Sequence, residues 1–192
     1  MVKTAPPRLG FNKYKVIDDK TAEFYIHSPK YGDHTVTIDL DDLDRLIELD
    51  QPWHIRMVDG YMHVQTCIYG RDENNKYKLM EQPYLQRWVM GLGYKTDKRV
   101  ADHWNHDPFD NRRENIRITT DFYNTKSRKG KNKNNTSGYR NVGWDKRTND
   151  WMVQLQDNGK NTVWRGFKTP EEAAEFARIK RKELYGEFAG ED

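Results

Sequence analysis

"RVADHWNHDPFDNRRENIRITTDFYN", residues 99–124, falls into pieces by residue type. "RVA" reads as a strand leading into Asp102-His103. "NHDPFDNRREN" is dense in the Asn, Asp and Pro that favour turns, so it reads as a loop. "IRITT" alternates β-branched residues and reads as a second strand. "TDFYNTKSRK" opens on threonine and aspartate, good N-caps, and reads as a helix. The stretch also gathers two His, four Asp, four Asn and four Arg. Hard oxygen ligands, an imidazole and guanidinium groups are what phosphodiester hydrolysis requires. A metal ion neutralises developing charge, a base activates water, and both must be aligned. Asp102 and a downstream asparagine carbonyl can supply oxygen donors to magnesium, which keeps several of its waters. His103 titrates in the range of a general base, and a second asparagine can fix its tautomer.

Working outward, the 192-residue chain is 35% hydrophobic and 33% charged, with a mean hydropathy of −1.11. A single large core is therefore not expected. An aromatic share of 12% argues against global disorder and for small modules with aromatic-rich cores. No run approaches the roughly 20 apolar residues that cross a membrane, and the N-terminus lacks a signal-like apolar stretch. With Cys67 as the single cysteine, an internal disulfide and a Cys₄ or Cys₂His₂ zinc site are excluded. No structural zinc is expected, and a reducing, cytoplasmic setting is.

The net charge of +3 hides an asymmetry: residues 1–97 carry 13 basic and 15 acidic side chains, residues 98–192 carry 20 and 15. "TKSRKGKNKNN" (125–135) holds Lys126, Arg128, Lys129, Lys131 and Lys133 without an acid. A solvated linker is the ordinary meaning of such a run. Because it joins two segments that each point to DNA, contact with phosphates is the better reading.

Upstream, "KYKVI", "AEFYIH" and "HTVTIDL" alternate as short strands after a loose leader, "MVKTAPPRLG". "DLDDLDRLIELD" carries Leu40, Leu43, Leu46 and Ile47 on a helical stripe. "WHIRMV" and "GYMHVQTCIY" are two β runs around an Asp-Gly hairpin signal. Downstream, "SGYRNVGW", "DWMVQLQ" and "NTVWRGF" form three strands before "TPEEAAEFARIKRKELYGEF", the clearest helix. Thr169 caps it, Pro170 suits the first turn, Glu172 completes a capping box and Gly186 ends it. The expected class is α+β: a small β-rich N-terminal region, a ββα motif, then a three-stranded antiparallel sheet packed on one helix.

The residues "VADHWNHDPFDNRRENIRITTDFYN" resemble the ββα-metal site of HNH endonucleases, particularly the phage and intron homing type. That family shows Asp-His, then Asn-Arg, then Glu-Asn-(Leu/Ile)-Arg, then an asparagine on the following helix. The resemblance implies that Asp102 and Asn124 hold magnesium or manganese and that His103 deprotonates water. It implies that Asn115 orients the imidazole, with Asn111 as a possible substitute. Asn115 lies 13 positions and Asn124 lies 22 positions after Asp102, a spacing that suits this subfamily. Arg112, Arg113 and Arg117 flank the site as candidate phosphate clamps, although Arg113 and Glu114 can equally form a surface pair. His106 stands where the family often has glycine. "TIDLDDLDRLIELDQPW", "GYMHVQTCIYG" and "YLQRWVMG" resemble the N-terminal part of these enzymes, with Gln86 where histidine is common. His27, His34, His54 and His63 read as ordinary strand residues, and residues 1–34 carry no resemblance.

Residues 136–189 resemble the APETALA/ethylene-response-factor DNA-binding domain, which lays a three-stranded sheet in the major groove. Trp151, Val153 and Leu155 alternate as the apolar face; Gln154 and Gln156 point the other way with Met152. With Arg140, Lys146, Arg147 and Arg165 these glutamines are the candidate DNA contacts. Tyr139, Trp144, Trp164 and Phe167 read as core. The departure is "WRGF", where Arg165 takes a position that is usually glycine.

The organisation expected is a leader and β-rich segment (1–34), the β-rich part of a nuclease region (35–97), the ββα motif (98–128), a basic linker (129–135) and a DNA-binding domain (136–189). The function expected is metal-dependent cleavage of double-stranded DNA, by a monomer or weak dimer without membrane association. The alternative is a DNA-binding regulator that lacks catalysis; an RNA-binding or structural phage protein would leave the ordered site unexplained.

Overall fold

The computed structural model describes residues 10–127, 130–157 and 159–190. It is an α+β protein of short antiparallel strands, with the longest helix near its C-terminal end. Two compact units divide between Thr119 and Thr120.

In the first unit, β1 (Tyr14–Val16), β2 (Thr21–Ser28) and β3 (Gly32–Asp39) form a meander in that order. Strand β2 alternates, with Ala22, Phe24 and Ile26 buried, and β3 buries Val36 and Ile38. Helix α1 (Leu40–Leu49) follows at once and lays Leu43 and Leu46 on that face. Two hairpins come next: β4 (His54–Val58) with β5 (Tyr61–Gln65), and β6 (Ile68–Arg71) with β7 (Tyr77–Glu81). A short helix α2 (Leu85–Val89) leads to β8 (Val100–His103), which pairs with β9 (Ile116–Thr119). The run "GYMHVQTCIY" is thus two strands, not one. It breaks at Thr66-Cys67, where the buried Thr66 hydroxyl donates to Pro52 O at 2.8 Å.

One core runs through these elements. Phe24, Val36, Leu46, Trp53, Val64, Leu85 and Val89 are among its fully buried members, and Ala101 and Ile116 tie the β8–β9 pair to it. Residue 34 lies inside β3, so the described segments 10–34, 35–97 and 98–119 share a single apolar interior.

The second unit begins with helix α3 (Asp121–Lys126). Its aromatic residues pack within that unit: Phe122 meets Tyr185 and Tyr123 meets Phe188. Strands β10 (Val142–Asp145), β11 (Asp150–Asp157) and β12 (Lys160–Phe167) form an antiparallel sheet in sequence order. Val142, Val153 and Leu155 face helix α4 (Pro170–Tyr185), whose Ala173, Ala177 and Tyr185 complete the core. Glu172 N–H donates to the Thr169 hydroxyl as expected of the α4 cap, while the Glu172 carboxylate reaches one residue further back than a capping box requires and accepts from Lys168 N–H. Tyr139, Trp164 and Phe167 pack against this core, whereas Trp144 sits at the sheet edge, 41% exposed, edge-on to Trp151. A register shift beside Trp151/Val153 puts Gly166 at φ 90, a left-handed conformation that glycine tolerates.

Candidate functional site

The site residues of the first unit grow out of one strand pair. Across β8–β9, Asp102 faces Arg117 and His103 faces Ile116. Successive strand residues point to opposite sides, so Ala101 and His103 are buried while Asp102 is only half-buried. The strand ends at His103 and the chain turns there, with His106 N–H bonded to His103 O at 3.1 Å. His106 sits at φ 62, in the left-handed region that favours glycine. That backbone requirement accounts for a glycine preference at this position, and it makes His106 an exposed turn residue.

The loop that follows is laced by amides. Asn115 Oδ1 accepts Asn105 N–H at 3.0 Å, and its Nδ2 donates to Asn105 Oδ1 at 3.0 Å and to Asp110 O at 2.8 Å. Asn111 is fully buried; its Nδ2 donates to Pro108 O at 2.9 Å, and its Oδ1 meets His103 Nε2 at 3.1 Å. The partner of the imidazole is therefore Asn111, and Asn115 closes the loop instead. The reason is geometric: Asn115 ends a 3-10 turn (Arg113–Asn115) and points back into the loop. With Nε2–H donating to a carboxamide oxygen that can only accept, the lone pair of the neutral ring lies on Nδ1. Burial pushes the His103 imidazole below its ordinary pKa, against the opposing pull of the Asn111 bond and of Asp102, Asp107 and Asp110. The ring is neutral at pH 7 as a result.

The same loop is docked on the N-terminal sheet. Thr37 N–H donates to Phe109 O and Asn111 N–H to Thr37 O, both at 2.8 Å, making a parallel bridge to β3. His34 stacks on Phe109 with centroids 4.4 Å apart. Arg113 N–H donates to Asp39 at 2.8 Å, and its guanidinium reaches the buried Asp42 at 2.6 Å. Asp42 also accepts from Arg45. So Arg113 pairs with α1 rather than with Glu114, which instead meets Arg112 at 2.9 Å. His34, Thr37, Asp39 and Asp42 were not legible as site residues, because their contacts span some 70 positions. His63, read from sequence as an ordinary strand residue, is half-buried, stacks on Tyr84 at 4.7 Å and lies in the field of His103.

The candidate arginines are engaged. Arg112 forks onto Asp110 with two 2.8 Å bonds, which holds that carboxyl below its usual range. Arg117 donates to Asp102 Oδ2 from Nε at 3.0 Å and from Nη2 at 2.7 Å. Asn124 lies on α3, in the second unit. Among the described residues no three His, Cys, Asp or Glu side chains cluster so as to hold a metal. No described helix is long and apolar enough to cross a membrane.

In the second unit the candidate DNA contacts separate into three groups. Gln154, Lys146, Arg147, Lys131 and Lys133 are exposed, the first on the sheet face opposite α4 and the next two in the β10–β11 turn. Lys126, Gln156 and Arg165 are part-committed: Lys126 donates to Gln156 at 3.0 Å, and Arg165 to Asp145 at 2.7 Å. Arg140 requires correction, because it is 4% exposed and donates to Lys126 O and Ala189 O, which makes it a structural residue. Arg128 and Lys129 lie outside the described residues. A groove of about 610 Å³ lies between Met152, Gln154 and Asn161 on one side and Asn132, Asn134 and Asn135 on the other. No protein-family model, curated protein or solved structure matches the chain.

Proposed function

We propose that the chain is a metal-dependent DNA endonuclease of the HNH type, directed to its target by the C-terminal sheet-and-helix unit. One observation carries the reading: a buried imidazole, His103, with its Nε2 engaged by Asn111 and Asp102 next to it in the chain. In this reading Nδ1 of His103 takes the proton from an attacking water, while Asn111 holds the tautomer and Asn115 holds the loop. Asp102 offers a carboxylate and Asn124, in the second unit, a carboxamide; each is a hard oxygen that suits magnesium or manganese. When bound, the metal would neutralise charge developing on the phosphate oxygens. Double-stranded DNA is the partner, contacted by the exposed Gln154, Lys146 and Arg147 and by the basic segment around Lys131 and Lys133. A homing role, and the cytoplasm of a bacterial or phage-infected cell, follow from the resemblance alone.

A DNA-binding regulator without catalysis is the second reading, favoured by one observation: Arg117 occupies the carboxylate on which the metal would depend. Purified protein incubated with phage or host DNA and magnesium, with EDTA and with His103→Ala as comparisons, separates the two. Metal-dependent cutting that disappears in the variant supports the nuclease. Binding by the unaltered chain without any cutting supports the regulator.

A further inference from the structure

Arg117 and Asp102 are register partners across β8–β9, and their side chains are only 13% and 15% exposed. Arg117 Nε and Nη2 each donate to one carboxylate oxygen, Oδ2. The guanidinium carbon also lies 4.6 Å from the ring centroid of Trp104, whose side chain is exposed. Arg112 and Arg113 pair instead with Asp110, Glu114 and Asp42, none of which is a proposed metal donor. Arg117 therefore differs from its neighbours in the group that it neutralises.

A guanidinium and a dication compete for one carboxylate, because each repels the other at so short a range. A phosphate offers the guanidinium a second two-pronged acceptor. We infer that Arg117 is an exchangeable counter-ion: it holds Asp102 when DNA is absent and moves to a backbone phosphate when DNA binds, so that metal and DNA each strengthen the binding of the other. The inference rests on the nuclease reading for the role of Asp102. Reciprocity is a thermodynamic requirement: if DNA raises metal affinity by some factor, metal raises DNA affinity by the same factor. The biological effect is that a hydrolytic site stays poorly loaded with metal until its substrate arrives.

The full-length protein and Mn²⁺ test this without any measurement of cleavage, by the electron paramagnetic resonance signal of unbound Mn²⁺. In DNA-free protein, Arg117→Met binds Mn²⁺ about tenfold more tightly than the unaltered chain, Arg117→Lys falls between them, and Asp102→Asn loses this binding. In a His103→Ala background, a random-sequence duplex tightens Mn²⁺ binding about fivefold, after subtraction of the duplex's own uptake. That factor shrinks to about twofold once Arg117→Met is added. Equal Mn²⁺ affinity in Arg117→Met and unaltered protein, with Asp102→Asn still abolishing binding, overturns the counter-ion and leaves the metal site standing. So does an equal duplex effect with and without Arg117. Mn²⁺ binding that Asp102→Asn does not change overturns the metal site and the counter-ion together. Circular dichroism confirms that each variant is folded, and Arg117→Lys decides the matter should Arg117→Met not be.

Discussion

The β8–β9 site and the outer face of the β10–β12 sheet are both polar, yet they are built on opposite principles. Around His103 each described amide and guanidinium has a protein partner, and Asn111 is fully buried. Gln154, Lys146 and Arg147 are exposed, and a groove lies open beside Gln154. A reacting group must be held in one geometry before its substrate comes, whereas a surface that samples DNA sequences gains from reach and from charge left available to phosphates. Buried amides therefore mark where chemistry is proposed, and exposed amides mark where recognition is.

Asn111→Ala breaks the contrast most severely. It removes the imidazole's partner without touching the ring, and cleavage falls roughly 10–100-fold. DNA affinity, followed by fluorescence anisotropy, stays unchanged. An unaltered cleavage rate would show that His103 needs no such support. Next in size, Asp42→Ala removes the carboxylate shared by Arg45 and Arg113 and costs the first unit about 1–3 kcal/mol. Hydrogen exchange reads it as faster opening within residues 10–119 and no change after 130. Exchange that rises equally in both parts would deny the contact its local role.

Acid should separate the regions too. Burial is the largest cause lowering the pKa values of the half-buried His63 and the buried His103 from 6.5. Between those lowered values and 6.5 the unfolded chain binds protons that the native one refuses. Stability is then complete above 6.5 and declines as pH falls beneath it. Urea midpoints at about pH 7.5 and about pH 5.5, read from a first-unit probe such as Trp53, drop in that order; a flat profile contradicts the burial of these rings. The smallest change comes from Lys146→Ala with Arg147→Ala. It weakens binding to unrelated duplexes alike and lowers the salt slope by about two, leaving cleavage at saturating DNA intact. A slope that does not move would take the β10–β11 turn out of the interface.

Local physics explains what could be read in advance. The strand–loop–strand–helix succession of 99–126 and the Thr169 cap depend on neighbouring residues alone, and they stand where the sequence puts them. Strand β7 is not legible in advance because Met80 follows Leu79 directly and breaks the alternation begun by Tyr77 and Leu79, and all five residues are exposed. The choice between Asn111 and Asn115 escaped as well: both have the same chemistry, and only the path of the loop decides which one meets the ring. Arg140 reads as a DNA contact from its charge, but its partners are carbonyls 14 and 49 residues away. Arg117 was singled out for phosphate, and its cross-strand acid emerged only once the register was set.

Thr37 turns its backbone outward to Phe109 and Asn111, so the loop that orients His103 also seals the open side of the first sheet. A strand left bare there would offer unpaired N–H and C=O groups to other molecules. Loosening this loop should therefore make the chain adhesive, with aggregation in storage as its first sign.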